Sequence, residues 1–150
     1  MAETITALSE LLVEQLQKEA LTLLSTIDHE QGAPAMNAVS WLFAKDASTI
    51  RFAVDQRSRI VTNIKANPLV TLTYIGAGTV HAIYGKGRLV TDALEEVPFK
   101  LACFDVEITE VRDAMFYGAR IAVQPEYEKT YDKRAAEKLD TQVFSAMRKA

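Results

Sequence analysis

The sequence predicts an α+β domain: six or seven short antiparallel strands, rolled into a barrel or strongly coiled sheet, with three or four helices at its periphery. Three observations predict it. Apolar residues alternate with polar ones over short runs, as Val70, Leu72 and Tyr74 do against Thr71 and Thr73. Turn-forming clusters punctuate those runs at Asp28 to Pro34, Lys45 to Ser48 and Gly76 to Gly78. Helical spacing is confined to a few short stretches.

In chain order, Leu8, Leu11, Leu12 and Leu16 recur at helical spacing over residues 8–18, with Glu10, Glu14 and Gln15 opposite. Ala20 to Ile27 reads as a strand, and Met36 to Phe43 as a second one after the polar turn. Ile50 to Val54 is the third, forming an antiparallel hairpin or meander with them. A helix follows at 58–66, stopped by Asn67-Pro68, then strands at Leu69 to Ile75 and Thr79 to Val90. Gly85 and Gly87 inside that long strand imply a bulge, a corner or a close approach. A short helix is expected at 95–102, and a strand with one buried face where Phe104, Val106 and Ile108 alternate with Asp105, Glu107 and Thr109. Met115 to Val123 reads as a last strand, and 133–148 as a helix burying Ala136, Leu139, Val143 and Met147.

The 150 residues are expected to form a single domain, 1–150, able to bury roughly two-thirds of its unfolded surface. A net charge of −3 argues against nucleic acid as a partner. No apolar run approaches the length of a membrane span, and MAETITALSE lacks a basic region before an apolar core. Cys103 is the only cysteine, which suits a cytoplasmic location, and it reads as a buried small apolar residue. His29 and His81 fall on different elements, so no metal site is expected; His81 reads as a hydrogen-bonded interior or interface residue. No Walker or G-x-G-x-x-G loop is present, and nothing marks Ser40 as a nucleophile.

The most informative stretch is Ile50 to Pro68. A strand ends at Asp55-Gln56, and Arg57, Ser58 and Arg59 precede a helix start. Free N–H groups in a first helical turn and the helix dipole both favour an anion there. Arginine adds a planar fork matched to phosphate oxygens. Two solvated arginines beside Asp55 are the plainer alternative.

The pattern Asn37-Ala38-Val39-Ser40-Trp41, then Phe52 to Asp55, Arg57-Ser58-Arg59, Asn67 to Val70 and Ala82 to Gly87, resembles the FMN-binding split β-barrel family related to pyridoxamine 5′-phosphate oxidase, over about residues 20–91. The resemblance implies an antiparallel split β-barrel and a homodimer holding FMN at its interface. Ala38, Val39, Ser40 and Trp41 would line the ring, with Ala53 and Val54 beside it. Ser58 and Arg59 would hold the phosphate, with Arg57 as a substitute cation. The family's oxidases carry lysines where this chain has Phe43 and Ile60. Nor does the chain show a counterpart of their C-terminal tryptophan and arginine motif, since Trp41 is its only tryptophan. Trp41 reads equally as core or as flavin platform, and Met115 to Gly118 as interior strand, dimer contact or flavin cover. The implied function is an FMN-dependent oxidoreductase acting on a small molecule, with NAD(P)H or another small reductant docking transiently. A non-catalytic flavin- or haem-binding or stress-related protein, and a ligand-free dimeric scaffold, are the alternatives.

Overall fold

The computed structural model of the protein describes residues 4–150. Seven strands form one antiparallel sheet: β1 (Thr22–Ile27), β2 (Pro34–Val39), β3 (Leu42–Ala44), β4 (Thr49–Asp55), β5 (Leu69–Gly76), β6 (Thr79–Thr91) and β7 (Leu101–Asp113). Three helices accompany them: α1 (Glu10–Leu16), α2 (Arg59–Ala66) and α3 (Lys133–Lys149). The spatial order is β2-β1-β5-β6-β7-β4-β3.

That order forces the sheet to curl. β2 and β3 are neighbours in sequence but occupy opposite edges. Val39 still pairs with Thr22 of β1, while the Trp41 carbonyl already accepts from the Ala53 amide of β4 at 3.0 Å. Ser40 alone carries the chain from one edge to the other. Two residue steps reach about 7 Å, whereas a flat seven-stranded sheet would separate its edges by roughly 29 Å. The sheet therefore closes on itself, and the seam is spanned by covalent chain. The expected barrel and its count of strands and helices are both found.

The interior is filled by alternate residues of this rolled sheet, with Phe52 and Phe104 stacked at 5.4 Å and Leu24, Leu42, Leu72 and Ile83 fully buried. α1 adds Leu12 and Leu16; α2 adds Ile60, Val61 and Ile64. A second cluster lies on the outer face of β4 and β7, where α3 packs Val143, Phe144 and Met147 against Phe43, Ala53, Leu101 and Cys103. β4 is thus buried on both faces. Two glycines fit the close approaches expected of them. A Cβ at Gly85 would sit 2.5 Å from the Glu107 carbonyl oxygen, at a register shift with β7, and one at Gly87 would meet Ile64 of α2 at 2.8 Å.

Four expectations need correction. Met36 to Phe43 is two strands, because the chain changes sheet edge at Ser40. No helix forms at 95–102: Pro98 interrupts it, and Leu101 to Cys103 pair with Asp55 to Ala53 instead. Met115 to Val123 is not a strand, since β7 is flanked on both sides by β6 and β4 and leaves no edge for it to join. Its Ile121 amide instead bonds the Gly78 carbonyl at the β5–β6 turn. Asp105 does not face solvent. It is 3% exposed beneath α3, where Arg51 donates to both its carboxylate oxygens at 2.7 and 3.0 Å.

Candidate functional site

The seam of the sheet is an open groove of about 350 Å³. It is lined by Asn37 to Trp41 on one side, Ala53 to Asp55 on the other, and Ser58 and Ile60 at one end. Seven of the nine residues expected at a cofactor site line it: Ala38, Val39, Ser40, Trp41, Ala53, Val54 and Ser58. Asp55 and Ile60 complete the lining next to Ser58. Alanine and serine supply four of its ten lining residues, Ala38, Ser40, Ala53 and Ser58, and so leave room where two strands converge.

Ser58 is the N-cap of α2, its Oγ accepting from the Ile60 amide at 3.1 Å. The first helical turn has further N–H groups without intrahelical acceptors, and Ser58 and Ile60 place that turn at this end of the groove. Arg57 and Arg59 are not among the lining side chains. Arg57 folds back on Asp55, with contacts of 3.2 and 3.3 Å, and borders a separate hollow with Phe99 and Lys100. Arg59 reaches the β1–β2 turn, donating to Asp28 at 2.6 Å and to Glu30 at 3.4 Å. The bond from Arg59, joined by the Gln31 amide, holds the Asp28 pKa down to about 2. Arg57 likewise keeps Asp55 below the ordinary carboxylate range. Both carboxylates are ionised at neutral pH, so each arginine is neutralised locally.

The turn that holds Arg59 is itself fixed to α2. The Asn63 side-chain oxygen accepts from the His29 amide at 3.0 Å and lies 2.8 Å from His29 Nδ1, while its nitrogen donates to Thr26 Oγ1 at 3.0 Å. No sequence signal pointed to this arrangement, whose partners lie more than thirty positions apart. Trp41 turns its indole N–H to Asp140 of α3, at 2.8 Å, while bordering the groove. Phe43 faces α3, 6.4 Å from the Phe144 ring and 5.5 Å from the Arg148 guanidinium carbon. His81 bonds the Gly76 carbonyl at 3.0 Å and stacks on Tyr74, and Cys103 is fully buried, its thiol pushed up to about 11 by desolvation. Among the described residues, no group of acidic, histidine and cysteine side chains is arranged to hold a metal ion, and no helix is long and apolar enough to cross a membrane.

A sequence model of the family described as pyridoxamine 5′-phosphate oxidase matches residues 8–127. The chain belongs to that family. Solved structures agree on the fold. One is a proposed pyridoxamine 5′-phosphate oxidase of Lactobacillus delbrueckii, at 21% identity and TM-score 0.62, covering 72% of this chain and 95% of its own. An F420 reductase has 22% identity and TM-score 0.59, covering 70% and 98%. An FMN-binding protein of Syntrophomonas wolfei has 17% identity and TM-score 0.50, covering 70% and 82%. No curated protein matches the sequence. The family is one that commonly binds FMN, and the groove suits that group: an open trough between two strands for a planar ring, and a capped helix start for a phosphate.

Proposed function

We propose that the chain binds FMN in the seam groove as half of a homodimer, and acts as an FMN-dependent oxidoreductase on a small molecule. One observation carries the reading: the trough between two strand edges ends at Ser58, the N-cap of α2. Ala38 to Trp41 and Ala53 and Val54 bound the ring. Ser58 and the α2 N-terminus take the phosphate. Arg59 supports it by turning away from Glu30, its looser and more exposed partner, while keeping Asp28. Bound FMN would supply hydride and electron transfer at its ring, so the chain need only bind, orient and exclude water.

A dimer is supported by apolar residues that one copy leaves uncovered. Met36 of the edge strand β2 is 63% exposed, and Phe116, Tyr117 and Val123 lie open on the segment after β7. NAD(P)H or another small reductant would dock at the groove's open side. One observation favours a second reading, a flavin carrier without turnover. The ionisable side chain lining the groove, Asp55, is kept ionised by Arg57 and has no proton to give near neutral pH.

The absorption spectrum of the purified protein, with extraction of whatever accompanies it, tests the binding. Flavin bands, or their appearance on adding FMN, are expected; a colourless protein that ignores FMN refutes the reading. Anaerobic bleaching by NAD(P)H followed by turnover with an acceptor then separates enzyme from carrier.

A further inference from the structure

The helix α3 lies beyond the family match, which ends at residue 127, yet it bonds a residue that lines the groove. Its Asp140 accepts the Trp41 indole N–H at 2.8 Å. Trp41 directly follows Ser40, the residue at which the chain crosses the seam, and it borders the groove. Asp140 is held in turn. Lys129 lies 3.2 Å from its second oxygen and donates to Glu19 at 2.7 Å. Burial works against the charge of Lys129, but the bonds to Glu19 and Asp140 outweigh it and keep its pKa above the usual lysine value. Asp140 is only 16% exposed at its side chain, so its position is fixed by these partners rather than by water. Residues 19, 41, 129 and 140 come from four separate segments and meet at the back of one groove wall.

We infer that Asp140 is a positioning residue for FMN: by fixing the Trp41 ring it sets the conformation of the Ser40 crossover and so the width of the groove. This rests on the groove being the FMN site. Without the bond, the indole loses the polar contact that fixes its orientation, and the wall from Val39 to Trp41 keeps only apolar packing against the α3 cluster. The remaining contacts of α3 near the crossover are apolar: Trp41 and Phe43 pack against the cluster that holds Val143 and Phe144. The helix thus shapes the site without touching the ligand.

The test uses the full chain, FMN titrations, and the fluorescence of Trp41, the sole tryptophan. Asp140→Ala is expected to raise the FMN dissociation constant about fivefold or more and to shift Trp41 emission to the red. Asp140→Asn, which keeps an acceptor for the indole while losing the Lys129 pair, should restore most of the affinity. Val143→Ala loosens the α3 core while leaving the Asp140–Trp41 bond in place, and should lower the melting temperature while leaving FMN affinity within about twofold. Affinity unchanged in Asp140→Ala, or lost as far in Val143→Ala, overturns the inference. If Asp140→Ala does not fold, Trp41→Phe serves instead, keeping a ring but removing the donor; unchanged affinity there is equally fatal. Failure of the unaltered chain to bind FMN overturns the groove assignment itself, a result distinct from normal binding that ignores Asp140.

Discussion

Asp105 is the charge on which the docking of α3 depends, and its removal has a calculable consequence. Its carboxylate receives Arg51 at 2.7 and 3.0 Å, with Arg88 at 3.2 Å and Lys45 at 3.4 Å. Arg51 also donates to the carbonyls of Met147 and Ala150, at 2.8 and 2.7 Å, and so binds the C-terminal end of α3 where the helix dipole favours a cation. Asp105→Ala leaves Arg51, only 5% exposed, without its carboxylate side-chain partner. Breaking a buried pair in this way costs about 3–5 kcal/mol, against about 5–15 kcal/mol for a whole domain. The exposed Arg88 and Lys45 add little. At about 2–4 °C per kcal/mol, melting should fall by roughly 6–20 °C.

Urea and thermal melts measure that loss, and Cys103 reports where it occurs. The thiol is fully buried under α3, so its reaction with a disulfide reagent should accelerate when α3 lifts. Adding Arg51→Met to Asp105→Ala should recover much of the stability, since no unpaired charge remains. A loss below about 1 kcal/mol, with Cys103 still protected, would show that water reaches Arg51 and that the pair does not hold the helix. Acid offers a further check. Burial alone would raise the Asp105 pKa, but the bonds from Arg51 outweigh it, and the folded value lies below the ordinary one. The pair's contribution is therefore complete above about pH 4 and fades as pH falls through the depressed folded value.

Arg59→Ala should weaken FMN binding about tenfold and leave riboflavin unaffected, by titration calorimetry; equal losses for both would assign the arginine to the β1–β2 turn instead. Ser58→Ala should cost about 1 kcal/mol in urea melts through the lost cap, and weaken FMN more than riboflavin. FMN at a hundredfold excess over its dissociation constant should stabilise the fold by about 2.7 kcal/mol, read as a higher melting temperature. Gly85→Ala should abolish cooperative unfolding in circular dichroism, because the new methyl meets the Glu107 backbone at 2.5 Å.

Periodicity made β1, β5, β6, α2 and α3 legible, because each presents one face to a single neighbour. It failed where two faces are buried. Leu101 to Val106 is covered by the sheet interior on one side and α3 on the other, so burial there follows no period, and the expected helix at 95–102 overran the start of β7. Asp105 looked solvent-facing for the same reason: its partner Arg51 lies 54 residues away and only the β4–β7 register brings them opposite. At the groove, the local strand–turn–helix signal gave Ser58 and the α2 start. The carboxylates that take Arg59, and the Asp140 that holds Trp41, depend on long-range packing that no local spacing encodes.

The seam also gives a physical reason for the proposed ligand site. β2 and β3 pair on one side only, so each presents backbone N–H and C=O groups that the sheet does not use. Such groups require partners, and the single-residue crossover at Ser40 keeps the two edges close while denying them each other. A flat heteroaromatic ring bearing donors and acceptors on its rim can satisfy edge groups from both strands, which a purely apolar ligand cannot. The same edge would otherwise invite a strand from another chain, and the exposed Met36 on β2 makes that competition concrete. If FMN fills the seam, hydrogen exchange at Asn37 to Val39 should slow on its addition, whereas exchange in the β5–β6 hairpin should not change. Equal slowing in both places would mean global stabilisation, and the seam would lose its claim.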